Sequence, residues 1–127
     1  MAAMTSNSIV ITKMPSDGAP FNLSLYNADV SGCEDLIALS AGKCHYVKKI
    51  KLYAQSVTDV TFTIGSAETG PGTVSTIYLG PIPLSDTGSN FEIDFGENAM
   101  KCAVGTALTI DSSAACPVFV WLEGKTV

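Results

Sequence analysis

Apolar and polar residues alternate along most of the chain with a period of two. In the clearest example, residues 91–95, acidic residues alternate with apolar ones, which are Phe91, Ile93 and Phe95. This period places the apolar side chains on one face of a strand and the acidic ones on the other. No window keeps apolar residues at the i, i+3, i+4, i+7 spacing of an amphipathic helix. The pattern therefore predicts an all-β protein.

About eight strands follow residue 33, separated by turns rich in Gly, Pro and Ser. They are predicted at residues 34–40, 45–54, 59–65, 73–84, 91–95, 100–103, 106–111 and 117–123. Strands of this number and spacing are typical of an antiparallel β-sandwich, and their lengths favour a jelly roll of two facing sheets. Proline cannot donate a hydrogen bond to a neighbouring strand, so Pro81 and Pro83 place 73–84 at a sheet edge or corner.

Residues 1–33 differ from the rest of the chain and are predicted to form an extended N-terminal arm. Two short β-prone segments, 9–12 and 21–25, flank the turn-forming run 14–20, which contains Pro, Gly and Asp. The expected organisation is an arm, 1–33, followed by a β-sandwich domain, 34–127.

Composition and charge exclude several classes of function. The net charge is -5, and the chain has lysine but no arginine, which argues against nucleic acid as a partner. No apolar run approaches the ~18 to 20 residues of a membrane span. The N-terminus lacks the basic and apolar blocks of a secretory signal, so a cytosolic product is expected. Because charged residues make up only 15%, part of the surface is expected to be covered by another subunit.

The chain offers little that resembles catalytic chemistry. Asp86-Thr87-Gly88 resembles the active-site loop of aspartic proteases, but its late position beside a proline-interrupted corner favours a turn. Cys44 and His45 are neighbours in a predicted strand and should face opposite sides, which argues against a nucleophile–base pair. The sequence therefore predicts a protein that is not an enzyme and has no cofactor or metal.

The cysteines are expected to be buried thiols, with structural disulfides as the alternative. Their spacing fits no zinc motif. If the strands follow jelly-roll order, three of the four should lie near one end of the sandwich, namely Cys44, Cys102 and Cys116, with Cys33 near the other.

Two segments resemble small virion proteins encoded in the structural gene clusters of tailed bacteriophages. They are Thr-Ile-Tyr-Leu-Gly-Pro-Ile-Pro-Leu at 76–84 and Ala-Val-Gly-Thr-Ala-Leu-Thr-Ile at 103–110, and the similarity covers about residues 48–122. The resemblance implies a capsid decoration, or cement, protein with a jelly-roll or sandwich domain, often trimeric. Such a protein is in the host cytoplasm during assembly and then on the outer surface of the capsid, where it binds the major capsid protein.

This resemblance suggests roles for three groups of residues. The apolar residues of the arm are candidates for docking to the capsid: Ile9, Val10, Ile11, Phe21, Leu23 and Leu25. The basic run is a candidate for docking to an acidic surface, or else a solvated strand face: Lys48, Lys49 and Lys51. The candidates for the interface of a homo-oligomer are Tyr53, Tyr78 and Trp121.

An alternative function is that of a receptor- or carbohydrate-binding head domain of a phage fibre or tail protein. Jelly rolls carry many unrelated functions, so the predicted fold alone does not separate the two. A head domain of this kind is expected to expose aromatic residues on its loops, and the predicted loops carry almost none.

Overall fold

A computed structural model describes residues 7–55, 59–67, 74, 76–84 and 89–127. The described residues form ten strands in two antiparallel sheets and contain no helix, so the predicted all-β, antiparallel class is confirmed. In chain order the strands are β1 (Ile11–Lys13), β2 (Ala19–Asn27), β3 (Glu34–Ile37), β4 (His45–Ala54), β5 (Val60–Ala67), β6 (Thr76–Leu84), β7 (Ser89–Asp94), β8 (Asn98–Lys101), β9 (Ala107–Ser112) and β10 (Val118–Thr126).

The larger sheet has the order β1-β8-β4-β10-β2, and β7 pairs with β4 beside β8. The smaller sheet has the order β3-β9-β5-β6. As the prolines predict, β6 is an edge strand, and it continues through Pro81 and Pro83 with a cis peptide bond between Gly80 and Pro81. The register between β5 and β6 shifts beside Pro81, so the ladder is irregular where the prolines interrupt it.

The two sheets pack face to face around one apolar core. The inward rows follow the predicted alternation, because Ile50 and Leu52 of the larger sheet and Phe62 and Ile64 of the smaller sheet are fully buried. Burial of side chains of this size stabilises the fold by about 1.5–3 kcal/mol each. The protein is thus a β-sandwich held together by its interior.

Residues of the predicted arm form two of the ten strands. β2 pairs with β10 along its whole length, from Ala19 opposite Thr126 to Asn27 opposite Val118. β1 pairs with β8, and just before it the Ser8 N–H donates to the Ile77 carbonyl at 2.9 Å. The segment 7–13 therefore joins the edge of the smaller sheet to the edge of the larger one.

All four cysteines are buried and unpaired, as the thiol interpretation predicts. The predicted grouping of three at one end is wrong for Cys116. Cys44 and Cys102 lie together, where the Cys44 Sγ donates to the Cys102 carbonyl at 2.6 Å. Cys116 follows β9 in the loop that leads into the start of β10, at the opposite end, where Cys33 precedes β3.

Candidate functional site: the outer face of the larger sheet

Side chains that point away from the core form ordered rows across the larger sheet. One row is aromatic on three neighbouring strands, because Tyr26 of β2 lies opposite Phe119 of β10, which lies opposite Tyr53 of β4. The ring centroids of Tyr26 and Phe119 are 4.8 Å apart, and those of Tyr53 and Phe119 are 6.0 Å apart. These are contact distances for tilted aromatic pairs.

The next row adds a tryptophan and a cation. Trp121 lies opposite Ser24 on one side and Lys51 on the other. Its ring is nearly parallel to that of Phe119, with centroids 6.3 Å apart, and the Lys51 Nζ lies 5.6 Å from the indole centroid. The cation lies within the range at which an ammonium is attracted to an aromatic face. We call Tyr26, Tyr53, Phe119 and Trp121 the aromatic patch.

Polar and charged side chains border the aromatic patch along the same strands. Lys49 and Glu92 form an ion pair at 3.7 Å, in which both side chains are largely exposed. Such a pair contributes little stability in water. With Asn22, Glu123 and Trp121, these residues line a shallow depression of about 340 Å³. The outer face is therefore aromatic at one end and charged at the other.

The aromatic patch is accessible to solvent in the isolated chain. Tyr26 is 58% exposed and Trp121 is 40% exposed, while Phe119 and Tyr53 are half-buried by their neighbours. Phe119 links the exposed tyrosine and tryptophan side chains into one apolar surface that lies outside the core. Contiguous surfaces of this kind mark sites of interaction with other molecules.

Two of the three residues predicted for a subunit interface, Tyr53 and Trp121, lie in this patch. Tyr78 does not, because only 3% of it is exposed and it packs in the core. Its hydroxyl oxygen accepts a hydrogen bond from the Ala103 N–H at 2.8 Å. Tyr78 is therefore a structural residue, and its assignment to an interface is corrected.

The predicted docking residues of the arm separate into two groups. Phe21, Leu23 and Leu25 point inward from β2 and are half-buried against the core, so they are not free to contact a capsid while β2 stays paired. Val10 and Ile11 are exposed, and Ile9 packs partly against the core. Of this set, only Val10 and Ile11 present accessible apolar side chains.

The three lysines of the basic run do not form one surface. Lys49 is paired with Glu92, and Lys51 lies over Trp121. Lys48 has no partner in β10, because the register shifts between Lys49, opposite Glu123, and Val47, opposite Gly124. It lines a separate depression with Phe21 and Lys125. Lys49 and Lys51 therefore lie at the border of the aromatic patch.

Tyr26 and Phe119 were missed by the sequence reasoning. The signal was present in β10, where Phe119 and Trp121 alternate with the core residues Val118, Val120 and Leu122. The two aromatic side chains therefore point to the face opposite the core. A strand that is apolar on both faces indicates burial on both sides. Among the described residues only the core side of this strand is covered, and its aromatic side lies at the surface.

The histidine and cysteine side chains that resembled catalytic groups are buried and make structural contacts. The His45 Nε2 donates to the Ala38 carbonyl at 3.0 Å, so Nδ1 accepts from the Thr126 hydroxyl at 2.8 Å. Burial lowers the pKa of His45. Burial also raises the pKa of the Cys44 thiol, and it raises that of Cys102 to about 12, which makes both poor nucleophiles. Asp86-Thr87-Gly88 lies outside the described residues.

Within the described ranges, no three His, Cys, Asp or Glu side chains come close enough together to hold a metal ion. In the same part of the chain there is no helix with the length and apolarity needed to cross a membrane. Comparison with known proteins gives no family: no protein-family model matches the chain, and no curated protein matches it.

Proposed function

We propose that this protein is a capsid decoration protein of a tailed bacteriophage, which attaches to the outside of the head through the aromatic patch. The observation that carries the proposal is this patch, since an exposed group of Tyr26, Phe119 and Trp121 has no role in the protomer's own core. The phage assignment rests on the resemblance of residues 76–84 and 103–110 to small virion proteins.

The chemistry of the patch suits attachment to a protein surface. Tyrosine and tryptophan bury a large apolar area with few rotatable bonds, so they dominate the binding energy of many interfaces. Their polar atoms remain able to hydrogen-bond at the rim. Lys51 and the Lys49–Glu92 pair supply charges beside the aromatic centre. These features together give an apolar centre with a polar border, which is the usual anatomy of a specific interface.

The strand order supports a jelly roll, the fold that the resemblance implies. Leaving out β1 and β8, the sheets read β2-β10-β4-β7 and β3-β9-β5-β6. In each sheet the first and last strands in sequence are neighbours, and successive strands alternate between sheets from β2 to β5. This is the order of eight strands that two interlocked Greek keys produce.

The mechanism is stabilisation by linkage. A protein that binds the assembled shell more tightly than separated capsid subunits shifts the equilibrium toward the shell, by an amount that grows with occupancy. The major capsid protein is the partner, and the decoration protein contributes buried area and no chemical step.

Co-sedimentation tests the proposal. Purified protein is mixed with heads of a tailed phage that lack a decoration protein, the particles are sedimented, and bound copies and the disruption temperature of the shell are measured. We expect saturable binding and a higher disruption temperature. Absence of binding to the heads of the phage that encodes the protein would overturn the proposal.

A second candidate function is carbohydrate binding by a fibre or tail head domain. It is favoured by Trp121, whose exposed ring adjoins a depression lined by the polar side chains of Asn22, Glu92 and Lys49. An aromatic face beside hydrogen-bonding groups suits the apolar face and hydroxyls of a sugar. Binding to a glycan array that is lost in Trp121→Ala, without binding to heads, would favour this function.

A further inference from the structure

The edge strand β2 leaves one side of the larger sheet unpaired. Its nine residues, Ala19–Asn27, are paired with β10 on one side only. The backbone N–H and C=O groups on its other side have no strand partner among the described residues. Such an edge is a template for pairing with a strand of another chain.

The other edges carry features that discourage pairing, and β2 does not. β6 contains Pro81 and Pro83, β7 contains Glu92 and Asp94, and β1 and β3 are only three and four residues long. β2 contains no charged residue, and its one proline, Pro20, is next to its beginning. Natural sheets use short strands, charges and prolines to prevent their edges from pairing with other chains. Of these edges, β2 is the one without such protection.

The sandwich is also open on the β2 side. On the opposite side the segment 7–13 joins the two sheets, through Ser8 to β6 and through Val10 to Lys101. Between β2 and β3 there is instead a cavity of about 100 Å³ lined by core side chains, including Leu25, Leu36 and Val120. Asp35 lines the same cavity, and its Oδ1 is buried without a hydrogen-bond partner in the described part of the chain.

We infer that β2 pairs antiparallel with β2 of a second copy of this chain, about a two-fold axis at Leu23. The segment Phe-Asn-Leu-Ser-Leu at 21–25 alternates apolar and polar residues symmetrically about Leu23. In this register Phe21 lies opposite Leu25 of the second copy. In this register every inward side chain of β2 stays on the core side of the sheet. A shift of the pairing by one residue would turn these side chains to the other face. The interface is therefore self-complementary, as a two-fold axis requires.

The size of the contact suits a dimer. A nine-residue edge is about 30 Å long, and two sheets about 10 Å apart with their outer side chains make a side about 20 Å wide. This corresponds to about 600 Å² per copy, or about 1,200 Å² in total, at the lower limit of specific stable interfaces.

Charged side chains of both signs lie near the two ends of β2. Glu34 and Asp35 line the cavity at the Asn27 end, whereas Lys48, Lys125 and Glu123 line a depression near Pro20 and Phe21. Antiparallel pairing brings the acidic end of each copy toward the lysine-containing end of the other.

The axis is perpendicular to the sheet, so the two aromatic patches of the dimer point to the same side. Both copies can then contact one surface. A three-fold assembly cannot use this contact, because two β2 strands paired about a two-fold axis leave no edge for a third. The inference does not depend on the proposed function, since the pairing needs only this chain.

Native mass and cross-linking test the dimer. Light scattering on the wild-type protein is expected to give twice the chain mass of 13.2 kDa. Ser24→Lys places a charge on the exposed face of β2 and is expected to raise the dimer dissociation constant at least tenfold. Asn90→Lys, which adds the same charge to an exposed position of β7, is the matched control and keeps the dimer mass.

A second variant reports the register directly. Leu23→Cys places a thiol at the two-fold axis, and mild oxidation is expected to give a covalent dimer, while Asn90→Cys gives none. A monomeric or trimeric wild-type mass would overturn the inference. A dimer unaffected by Ser24→Lys, or Leu23→Cys cross-linking no more than Asn90→Cys, would do the same.

Discussion

His45 shows how a single residue reveals its role through its partners. Since the Ala38 carbonyl can only accept a hydrogen bond, the Nε2 of His45 carries a proton. Protonation of the buried ring would place a charge away from water, and this lowers its pKa in the folded protein. The single histidine of the chain is thus a buried residue with a structural role.

Acid is expected to destabilise the protein through His45. The unfolded chain binds a proton near pH 6.5, whereas the folded protein binds it only at a lower pH. The free energy of unfolding should therefore fall as the pH drops below about 6.5. In His45→Gln this decrease should be smaller, because the amide does not titrate. Urea unfolding at pH 7.5 and 5.5 measures it, and equal decreases in both proteins would contradict the assignment.

Gly124 of β10 lies between Phe21 of β2 and Val47 of β4. A β-carbon there would collide with the Tyr46 carbonyl oxygen and the Phe21 ring. We expect Gly124→Ala to lower the free energy of unfolding by about 2 kcal/mol. Gly32→Ala is the control, because a β-carbon at Gly32 meets open space. Similar stability of the two variants in chemical denaturation would show that β10 can shift to accept a methyl group.

The hydroxyl of Tyr78 is expected to stabilise the turn after β8. Tyr78→Phe leaves the Ala103 N–H without its acceptor and should cost about 1–2 kcal/mol of unfolding free energy. Tyr26→Phe, on the exposed patch, should change stability by less than about 0.5 kcal/mol. If Tyr78→Phe is as stable as the wild type, water replaces this hydrogen bond and Tyr78 acts only through its ring.

At the scale of elements, the alternation predicted β4 with its observed bounds, because its inward and outward residues differ sharply in polarity. It predicted β10 only up to Glu123. The strand continues to Thr126 past Gly124, where the register shifts around the extra residue Lys48. A bulge of this kind depends on the neighbouring strand, so no pattern within β10 reveals it.

The N-terminal segment illustrates the same limit. Its apolar residues and turn signals predicted two β-prone pieces, but an extended arm and an edge strand have the same alternation. The distinction depends on whether a partner strand is available, and β10 supplies one along all of β2. The outward position of Tyr26 next to Phe119 follows from this pairing, and for this reason Tyr26 was not foreseen.

Removal of residues 1–10 is expected to lower the free energy of unfolding by about 1–3 kcal/mol. It deletes the hydrogen bonds from Ser8 to Ile77 and from Lys101 to Val10, each worth about 1 kcal/mol. Val10→Ser is the control, since it changes an exposed side chain and keeps the backbone contact. Unchanged thermal stability after truncation would show that this segment does not hold the two sheet edges together.

At the scale of the whole molecule, the residues that hold the sandwich together are separate from the accessible aromatic residues. Its interior and the segment 7–13 hold the two sheets together, while the outer face of the larger sheet carries the accessible aromatic side chains. Composition alone predicts that another subunit covers part of the surface, because few charged residues are available to solvate it. Which aromatic residues share the outer face depends on the strand order, and this needed the structure.

The most direct test of the account is the affinity of patch variants for phage heads that lack a decoration protein. Trp121→Ala should weaken binding at least tenfold, the equivalent of about 1.4 kcal/mol, without loss of fold. Val104→Ser removes an apolar side chain that is 62% exposed, in the turn after β8 and outside the aromatic patch, and it should bind like the wild type. Equal binding by both variants and the wild type would contradict the claim that the aromatic patch is the attachment site.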